Sequence, residues 1–430
     1  MKVFKMGPLI AVSVVLMVAF CGCGLGLTEI EVPKYEAGAL DGYTLLCSTS
    51  VYSIPPDLID MQGNQIRQYS VADGFHAKML IGGAILTGVE RYTQFLVQFE
   101  WLRLVQEAWD GSTEWTFRDW EEVPDIGWSS RIHHDWQREG NPVGYYAPGQ
   151  DYVEPGNTLV LAHADVTYPE ISSKPLLDDI VYEIDWGGNP VFEWHAADHV
   201  EEFGFDAAAR EEIYLRGGDW LHANCVSWLG ENPWYEKGDT RFHPRNMIFD
   251  SRNAGFIVII DHQTGDVVWR VGPDYSEPNP EAAAGPFIGL HHAHMIPKGL
   301  PGEGDILLFD NGGSAGYGGP QGGMSKYTRD YSRVVEFDPT TVQIVWEYSP
   351  ANGDFLPFSE WVSGVQRLPN GNTLITSGLN GMVLEVTRGR RIVWECDYSV
   401  GYPYFRMYRA YRVPPQWLPE NPAGYSPWIP

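Results

Sequence analysis

Positive charge is scarce in this sequence. Its 430 residues include 29 Lys and Arg against 56 Asp and Glu, which gives a formal net charge of -27. Binding to nucleic acid requires a basic surface that neutralises phosphates, so this composition argues against a nucleic-acid-binding protein. An anionic substrate would need a local positive pocket built against an acidic background.

Cysteine is also rare. The chain has five cysteines, and only Cys47, Cys225 and Cys396 lie beyond Cys23. Three is an odd number, and no CxxC spacing occurs among them, so the sequence indicates neither a disulfide framework nor a zinc ribbon. At most one disulfide can form among these three residues, and the sequence leaves its pairing open.

Long apolar runs are missing except at the start, which reads MKVFKMGPLIAVSVVLMVAFCGCG. Lys2 and Lys5 form a basic beginning, and residues 8–20 form an apolar run of signal-peptide length that is short for a membrane span. We therefore expect residues 1–23 to be an export signal, and the mature protein to be periplasmic or at the cell surface. The CGC sequence leaves two alternatives, a lipid anchor at Cys23 or plain secretion.

A turn followed by an apolar strand with aromatic residues occurs six times along the chain. Copies include GSTEWTF, GDVVWRV and GRRIVWEC, and most follow a strand that ends in an acid, as in GFIVIIDH. Such pairs are typical of β-hairpins. A third phrase, exemplified by GNTLV and GNTLI, lies upstream in each unit. The Trp that recurs in the outer phrase is expected to have a structural role.

Six such units predict an all-β fold, a six-bladed β-propeller over residues 41–413. The upstream phrases are expected to form the innermost strand of each blade. Residues 24–40 are expected to be a linker, and the Pro-rich and Trp-rich residues 414–430 a C-terminal tail. With 47 Gly and 31 Pro, long helices are not expected to dominate.

Four units carry a histidine after an apolar residue, in the phrases FHAK, IHHD, LHAN and LHHA. These histidines are His76, His133, His222 and His291, and Ser363 occupies the same place in a later unit. Because equivalent positions of successive blades converge on the propeller axis, we expect a partial ring of histidines at one mouth of the channel. The alternative is a purely structural role, which is favoured for His163, His195, His199, His243 and His262.

Cationic and flexible segments lie near the predicted ring. Arg252 and Asn253 follow an inner strand, and Arg333 opens the strand YSRVVEF. Each arginine either binds an anionic substrate or pairs with surface carboxylates. The Gly-rich residues 311–324 lack the GK[ST] ending of a phosphate loop, so a mobile loop over the mouth is expected rather than a nucleotide cradle.

Several phrases together resemble bacterial arylsulfotransferases: DWLHANCV, SRNAGFIVIIDHQTGDVVW, HHAHMIPKG, YSRVVEFD and QRLPNGNTLITSG. The resemblance covers most of the chain after Gly42. It implies a six-bladed propeller that transfers a sulfuryl group from an aryl sulfate to a phenol through a sulfohistidine. It also implies that neither a nucleotide sulfate donor nor a cofactor takes part, and that the partners are small aryl sulfates and phenols.

Matching by motif, the resemblance implies catalytic roles for His222 and His291 and a sulfate-binding role for Arg333. Members of that family place the sulfate-accepting histidine in a later blade, whereas this chain has no histidine after His294. We therefore expect His291 to be the nucleophile and His222 the acid that protonates the leaving phenolate. The expected substrate-binding residues are Arg333, Arg252, Asn253, His133, His134 and His294. Aromatic residues Tyr145, Tyr146 and Trp228 are expected to line a phenol pocket.

Two other functions stay open at this point. The missing late histidine is compatible with a non-catalytic propeller that binds a ligand or a partner at the same mouth. The histidine ring is also compatible with a metal-dependent enzyme, since HHAH and IHHD offer imidazole and carboxylate groups. No HExxH or EF-hand pattern occurs, so the sequence assigns no metal ligand.

Overall fold

The computed structural model describes residues 30–48, 54–71, 76–93, 99–276, 283–320, 322–398 and 407–429. The predicted signal peptide and Cys23 lie outside these residues. No helix in the described ranges has the length and apolar character needed to span a bilayer.

Short antiparallel strands dominate the structure. In chain order they are β1 (Glu31–Tyr35), β2 (Tyr43–Ser48), β3 (Asp57–Ile59), β4 (Gln65–Gln68), β5 (Ala77–Met79), β6 (Ile85–Thr93), β7 (Phe99–Glu107), β8 (Thr113–Phe117), β9 (Glu121–Val123), β10 (Gly127–Ser129), β11 (Ile132–Arg138), β12 (Thr158–Val166), β13 (Leu176–Ile184), β14 (Pro190–His195), β15 (Gly218–Asp219), β16 (Ala223–Trp228), β17 (Met247–Ser251), β18 (Phe256–Ile260), β19 (Val267–Val271), β20 (His291–Met295), β21 (Ile306–Asp310), β22 (Gly313–Ala315), β23 (Tyr327–Arg329), β24 (Arg333–Asp338), β25 (Gln343–Tyr348), β26 (Gly364–Arg367), β27 (Thr373–Ser377), β28 (Met382–Val386), β29 (Ile392–Asp397) and β30 (Met407–Val413).

Helical segments are few and short, as the Gly and Pro content predicted. The α-helices are α1 (Ala207–Arg216) and α2 (Pro233–Glu236). Single 3-10 turns occur at Ala196–His199, Thr240–Phe242, Pro350–Asn352, Gly378–Asn380 and Pro415–Trp417. The long connection between β14 and β15 contains one 3-10 turn and helix α1.

The strands form four-stranded antiparallel units arranged as a β-propeller. Four units are separate sheets, ordered β30-β2-β3-β4, β16-β17-β18-β19, β20-β21-β24-β25 and β26-β27-β28-β29. Two further units, β5-β6-β7-β8 and β11-β12-β13-β14, belong to one nine-stranded sheet, joined where Ile132 pairs with Trp101. The predicted propeller is therefore confirmed, and the predicted count of six is reached only when the nine-stranded sheet is counted as two units.

The recurring tryptophans link five of the six units to the next, which confirms their structural role. Each lies on the outermost strand of its unit and donates its indole N–H to a backbone carbonyl in the following unit, at 2.9–3.0 Å. The five pairs are Trp115 with Trp186, Trp194 with Gly265, Trp269 with Pro339, Trp346 with Arg388, and Trp394 with Met61. Buried indoles usually need such a partner, and here the partner fixes the spacing between neighbouring sheets.

The innermost strands differ from those we predicted. The phrases GYTLL, GNTLV, NMIFD, GDILL and GNTLI form β2, β12, β17, β21 and β27, which are the second strands of their units. The innermost strands are β5, β11, β16, β20, β26 and β30, and the histidines lie on or directly before four of them. The prediction was wrong because the second strand of each unit is buried on both faces. Its sequence is therefore as apolar as the sequence that we expected of an innermost strand.

An early and a late strand of the propeller meet in one sheet. Strand β30, near the C-terminus, pairs with β2, and Tyr43 lies opposite Val413. Strand β1 adds a fifth strand to the sheet of β26–β29, within the segment predicted to be a linker. The predicted tail packs on the fold, since Trp428 is 6% exposed and donates its indole N–H to the carbonyl of Asp41.

Two smaller expectations also have an outcome here. The Gly-rich segment forms strand β22, which pairs with β23, and Tyr317 donates a hydrogen bond to the carbonyl of Trp220. These contacts anchor a segment that was expected to be a mobile loop. Cys47, Cys225 and Cys396 are buried, and all three are free thiols.

Candidate functional site

β-Bulges shape the start of the inner strands that carry the histidines. The register shifts between Ile132 and Trp136 in β11, and between His291 and His294 in β20. His134 and His292 have positive φ values of 51° and 56° within these bulges. Positive φ is uncommon for a residue other than glycine, and bulges often re-aim side chains next to functional sites.

The bulges alter the alignment that the sequence suggested. The first ladder pairs of the three inner strands are made by Ile132, Ala223 and His291. His133 therefore lies one residue after the first paired residue of its strand. His222 lies one residue before the first paired residue of its strand, and His291 is itself the first paired residue. The histidines do not share one structural position, although they start from similar phrases.

The side chains nevertheless meet near the axis, around His134. Its ring centroid lies 5.0 Å from that of His222 and 5.0 Å from that of His133. Tyr408, on the C-terminal strand β30, lies 5.9 Å from His134 and 6.4 Å from His291. The site therefore combines histidines from three units with a tyrosine from a fourth, and the sequence gave no sign of that tyrosine.

His222 is paired with an acid and partly open to solvent. Its Nδ1 lies 2.6 Å from Asp219 Oδ2, and its side chain is 16% exposed. Nδ1 donates to the carboxylate, which leaves the lone pair on Nε2. Burial opposes ionisation of Asp219, but the neighbouring His222 holds the pKa of that carboxyl below its usual value. The pairing could have been noticed in the phrase DWLHAN, where Asp219 precedes His222 by three residues.

His291 uses both ring nitrogens for hydrogen bonds. Nδ1 lies 2.8 Å from Asn311 Oδ1, and Nε2 accepts from the backbone N–H of Val362 at 3.1 Å. The residue is 2% exposed, and burial together with the charge of Arg252 holds its pKa well below the usual value. The expectation that His291 is the nucleophile does not fit this geometry, because neither nitrogen keeps a lone pair for attack.

His294 is satisfied inside the channel through both ring nitrogens, whereas His133 is bonded through Nδ1. His294 Nε2 lies 2.8 Å from the Tyr145 hydroxyl, and its Nδ1 lies 2.8 Å from the carbonyl of His292. His133 Nδ1 lies 2.8 Å from His134 Nδ1, so the two nitrogens share one proton. Burial lowers the pKa of His133 to about 3, and the ring is neutral at pH 7.

Arg252 and Asn253 lie beside the acid–histidine pair. The backbone N–H of Arg252 donates to the carbonyl of His222, and Asn253 donates to the carbonyl of Asp219. The Arg252 guanidinium donates to Asn253 Oδ1 at 3.2 Å and forms no ion pair within the described part of the chain. Its positive charge is therefore available to an anion at the mouth of the channel.

Arg333, by contrast, is already neutralised. Its Nε donates to Asp310 at 2.7 Å, Nη1 to Glu347 at 3.2 Å, and Nη2 to the carbonyl of Ala284 at 3.0 Å. No described contact joins Arg333 to the histidines. The sulfate-binding role expected for it lacks support from this geometry, because its donors are occupied by acids on two neighbouring strands.

A buried ionic network lies deeper along the axis. Asp135 accepts from Lys78 Nζ at 2.7 Å and from Arg409 at 3.3 Å, and His76 Nε2 also lies 3.3 Å away. All four side chains are at most 1% exposed. This network explains His76, the fourth member of the predicted ring, as a structural residue of the channel interior.

The aromatic residues proposed for a phenol pocket lie away from the mouth. Strand β16 begins beside His222 and ends at Trp228, so six residues, or about 20 Å of extended chain, separate them. Tyr145 is buried against His294, and Tyr146 packs on Trp428 of the tail. These three residues therefore do not line a phenol pocket beside His222, because each is buried against other parts of the fold.

The fold and site together define a β-propeller with a histidine cluster at one channel mouth. The family model described as Arylsulfotransferase (ASST) matches residues 149–413, more than half of the chain. The protein therefore belongs to the arylsulfotransferase family. No curated protein matches the sequence.

Solved structures with a similar shape are distant in sequence. A protein of unknown function from Bacteroides caccae is 11% identical over 86% of this chain and 98% of its own, with a TM-score of 0.45. Virginiamycin B lyase from Staphylococcus aureus is 9% identical over 85% of this chain and 88% of its own, with a TM-score of 0.37. The Cps50 (Swd1) β-propeller domain from Myceliophteria thermophila is 9% identical over 85% and 89%, with a TM-score of 0.40.

Proposed function

We propose that this protein transfers a sulfuryl group from an aryl sulfate to a phenol, with His222 as the nucleophile. The observation that carries the proposal is the Asp219–His222 pair beside Arg252, in a chain of the arylsulfotransferase family. No nucleotide sulfate donor takes part in the proposed reaction.

In the first step, the lone pair on His222 Nε2 attacks the sulfur of the aryl sulfate. The bond between sulfur and the aryl oxygen breaks, and its electron pair leaves with the phenolate. The Nδ1 proton stays on the ring, so the sulfohistidine ring is cationic, and the Asp219 carboxylate balances its charge at 2.6 Å. An acid that stabilises a developing imidazolium in this way is the usual third member of such arrangements.

In the second step, the oxygen of the acceptor phenol attacks the same sulfur, and the N–S electron pair returns to Nε2. The proton released by the acceptor replaces the one that the first phenolate lacks, so no proton is gained or lost overall. Both steps concentrate negative charge on the three sulfuryl oxygens. Arg252 faces this charge in a site that excludes much of the water, where electrostatic stabilisation is most effective.

His134 and His291 are assigned supporting roles. Burial first, and then the charge of His222, hold the pKa of His134 well below its usual value, so this ring is neutral and acts as a hydrogen-bond donor. His291 bonds Asn311 in its own unit and Val362 of the next, which holds the two units together at the site. We therefore treat His291 as a positioning residue.

Ser363, which takes the place of the ring histidines in a later unit, does not replace His222 as a nucleophile. Its Oγ donates to Ser359 Oγ at 2.9 Å and accepts from the N–H of Gly378 at 3.0 Å. The residue is fully buried, with a φ of 91°. A hydroxyl held in this way is not available for attack, so the transferred group needs another acceptor.

The experiment measures phenol release from a chromogenic aryl sulfate, with and without an added phenol. We expect His222→Ala to lower the rate by several orders of magnitude, as losses of covalent nucleophiles do. His195→Ala is the matched control, because His195 lies on the outermost strand β14. Mass spectrometry of the quenched enzyme should find the sulfuryl group on the peptide with His222.

Two results would contradict the proposal. Full activity of His222→Ala, or a sulfuryl group trapped on another side chain, removes the nucleophile assignment. If the unaltered protein releases no phenol from any aryl sulfate, the non-catalytic binding propeller becomes the better account.

We also propose that the protein is exported and acts outside the cytoplasm, on the basis of residues 1–23. The mass of the mature N-terminus tests this and separates a lipid anchor at Cys23 from plain secretion. An uncleaved N-terminus in the native host would contradict it.

A further inference from the structure

Three metal-ligating side chains converge on one face of a single propeller unit. His163 of β12 lies directly opposite Asp179 of β13, so their side chains are cross-strand neighbours. His133 comes from the bulged start of β11, the adjoining inner strand. One ligand atom from each of the three residues lies within 4.8 Å of the other two. Ligands carried on three paired strands are held more rigidly than ligands on loops.

The hydrogen bonds around the cluster point the remaining lone pairs inward. His163 Nδ1 lies 3.0 Å from Glu100 Oε1, and His133 Nδ1 is bonded to His134. Histidine ligands of metals commonly bond a carboxylate or another acceptor through the second ring nitrogen, which fixes the tautomer. In both residues the Nδ1 bond leaves Nε2 as the ring nitrogen that can bind an ion.

Two buried polar atoms at this point have no hydrogen bond. They are His133 Nε2 and Asp179 Oδ2, on residues that are 0% exposed. His133 Nε2 lies 3.2 Å from Asp179 Oδ1, but the geometry does not meet that of a hydrogen bond. Leaving such atoms unsatisfied is unfavourable, because each has lost its hydrogen bonds to water. A distance of 3.2 Å also equals the separation of neighbouring ligands on an ion with bonds of about 2.0–2.1 Å.

The charge around the cluster favours a cation. Glu100 is neutralised by Arg131, which donates to it through two nitrogens at 2.9 and 3.0 Å. Asp179 has no ion pair with Lys or Arg among the described residues, and the negative Asp219 acts on it and on His133. Two imidazoles beside a carboxylate that forms no ion pair with Lys or Arg in the described residues suit a divalent ion.

We propose that His133, His163 and Asp179 bind one divalent transition-metal ion of the class that includes Zn²⁺ and Fe²⁺. Two histidines and one carboxylate form a known ligand set for such ions and leave coordination positions open. The two imidazole rings stack at 3.6 Å with 11° between their planes. Because the ion must lie in the plane of each ring, the rings tilt apart when it binds.

A bound ion would also fix the protons of the neighbouring residues. With metal on His133 Nε2, the shared proton belongs to His133 Nδ1, and His134 Nδ1 accepts it. His134 then carries its own proton on Nε2, as a donor beside His222. This consequence rests on the proposed function, whereas the metal site itself does not.

The test uses the full-length protein, freed of metal by a chelator and titrated with Co²⁺ in the absence of aryl sulfate. We expect one equivalent to bind with a visible absorption band, and Zn²⁺ to displace it. His163→Gln and Asp179→Asn should each weaken binding by at least about 10-fold to 100-fold, which is the loss seen even for residues that only support a ligand. His262→Ala is the matched control, since His262 lies outside the cluster, 3.8 Å from Glu183.

Absence of saturable Co²⁺ binding, or binding that both ligand variants retain, overturns the proposal. If a variant does not fold, X-ray absorption of the zinc-loaded unaltered protein decides instead. Two imidazoles in the metal shell support the site, and a shell with fewer overturns it. The readout is metal binding, so loss of aryl sulfate turnover in His222→Ala does not affect the outcome.

Discussion

Removal of the Asp135 charge should destabilise the propeller strongly. Asp135 is the only described carboxylate bonded to Lys78, and it also bonds Arg409, while all three side chains are at most 1% exposed. In Asp135→Asn, two cations stay in the channel interior without their counter-ion. Removing one partner of a buried ion pair costs about 3–5 kcal/mol of folding stability. Here the removed carboxylate is the partner of two cations. The expected loss is a large part of a typical stability of about 5–15 kcal/mol.

Thermal unfolding followed by circular dichroism is a suitable assay. At about 2 °C per kcal/mol, the value for large domains, the midpoint should fall by about 6–10 °C. Glu211→Gln is the control, because Glu211 is exposed on helix α1 and should change stability by less than about 0.5 kcal/mol. The double variant Asp135→Asn with Lys78→Met should recover part of the loss, since it removes one uncompensated charge.

A loss below about 1 kcal/mol for Asp135→Asn would refute this reasoning. It would mean that the cations reach water or other acids, and that the network is not dry. A double variant less stable than Asp135→Asn alone would show that packing of the Lys78 stem, and not its charge, dominates.

Four further predictions test other parts of the structure. Burial raises the pKa of Asp250 to about 7, compared with about 3.9 in the unfolded chain. Its contribution to stability is therefore present below pH 4 and is lost as the pH rises through 7. In urea unfolding, the free energy of unfolding should fall less between pH 5 and pH 8 in Asp250→Asn than in the unaltered protein. Arg252→Ala should raise KM for an aryl sulfate and lower kcat/KM by about 10²-fold or more. Arg252→Lys should keep partial activity. Unchanged steady-state kinetics in Arg252→Ala would contradict the role of Arg252. His291→Ala should reduce turnover far less than His222→Ala, and a sulfuryl group trapped on His291 would reverse that assignment. Trp428→Ala should lower the free energy of unfolding by about 3 kcal/mol at unchanged kcat, which denaturation and turnover of the same sample can check.

The strand pairs of the propeller could be predicted from the sequence, because hairpin phrases and outer tryptophans carry local signals. The order of strands within each unit could not be predicted, because second strands such as β12 and β27 are as apolar as innermost strands. Strand β30 was also missed as part of the first unit, because β30 is far along the chain from its partner β2 and the pairing leaves no local pattern.

The candidate site was predictable in residue type but not in role. The phrases led to His222, His291 and Arg252. The hydrogen bonds in the fold, however, decide which ring nitrogen keeps a lone pair for attack and which arginine keeps its charge for an anion. Arg333 is neutralised by Asp310 from β21 and Glu347 from β25, which are distant in sequence from the motif that suggested it. Bulges, which change register by one residue, also have no signature in the phrases.

The position of β30 bears on when the protein becomes functional during synthesis. Tyr408 and Arg409 are synthesised after every other described strand of the propeller, yet they contact His134 and Asp135 at the axis. Contacts between the ends of a chain also form late in folding, because a long loop must close first. A prematurely terminated chain would therefore have an open sheet edge and an unassembled channel, which exposes it to proteases before any catalytic chemistry starts.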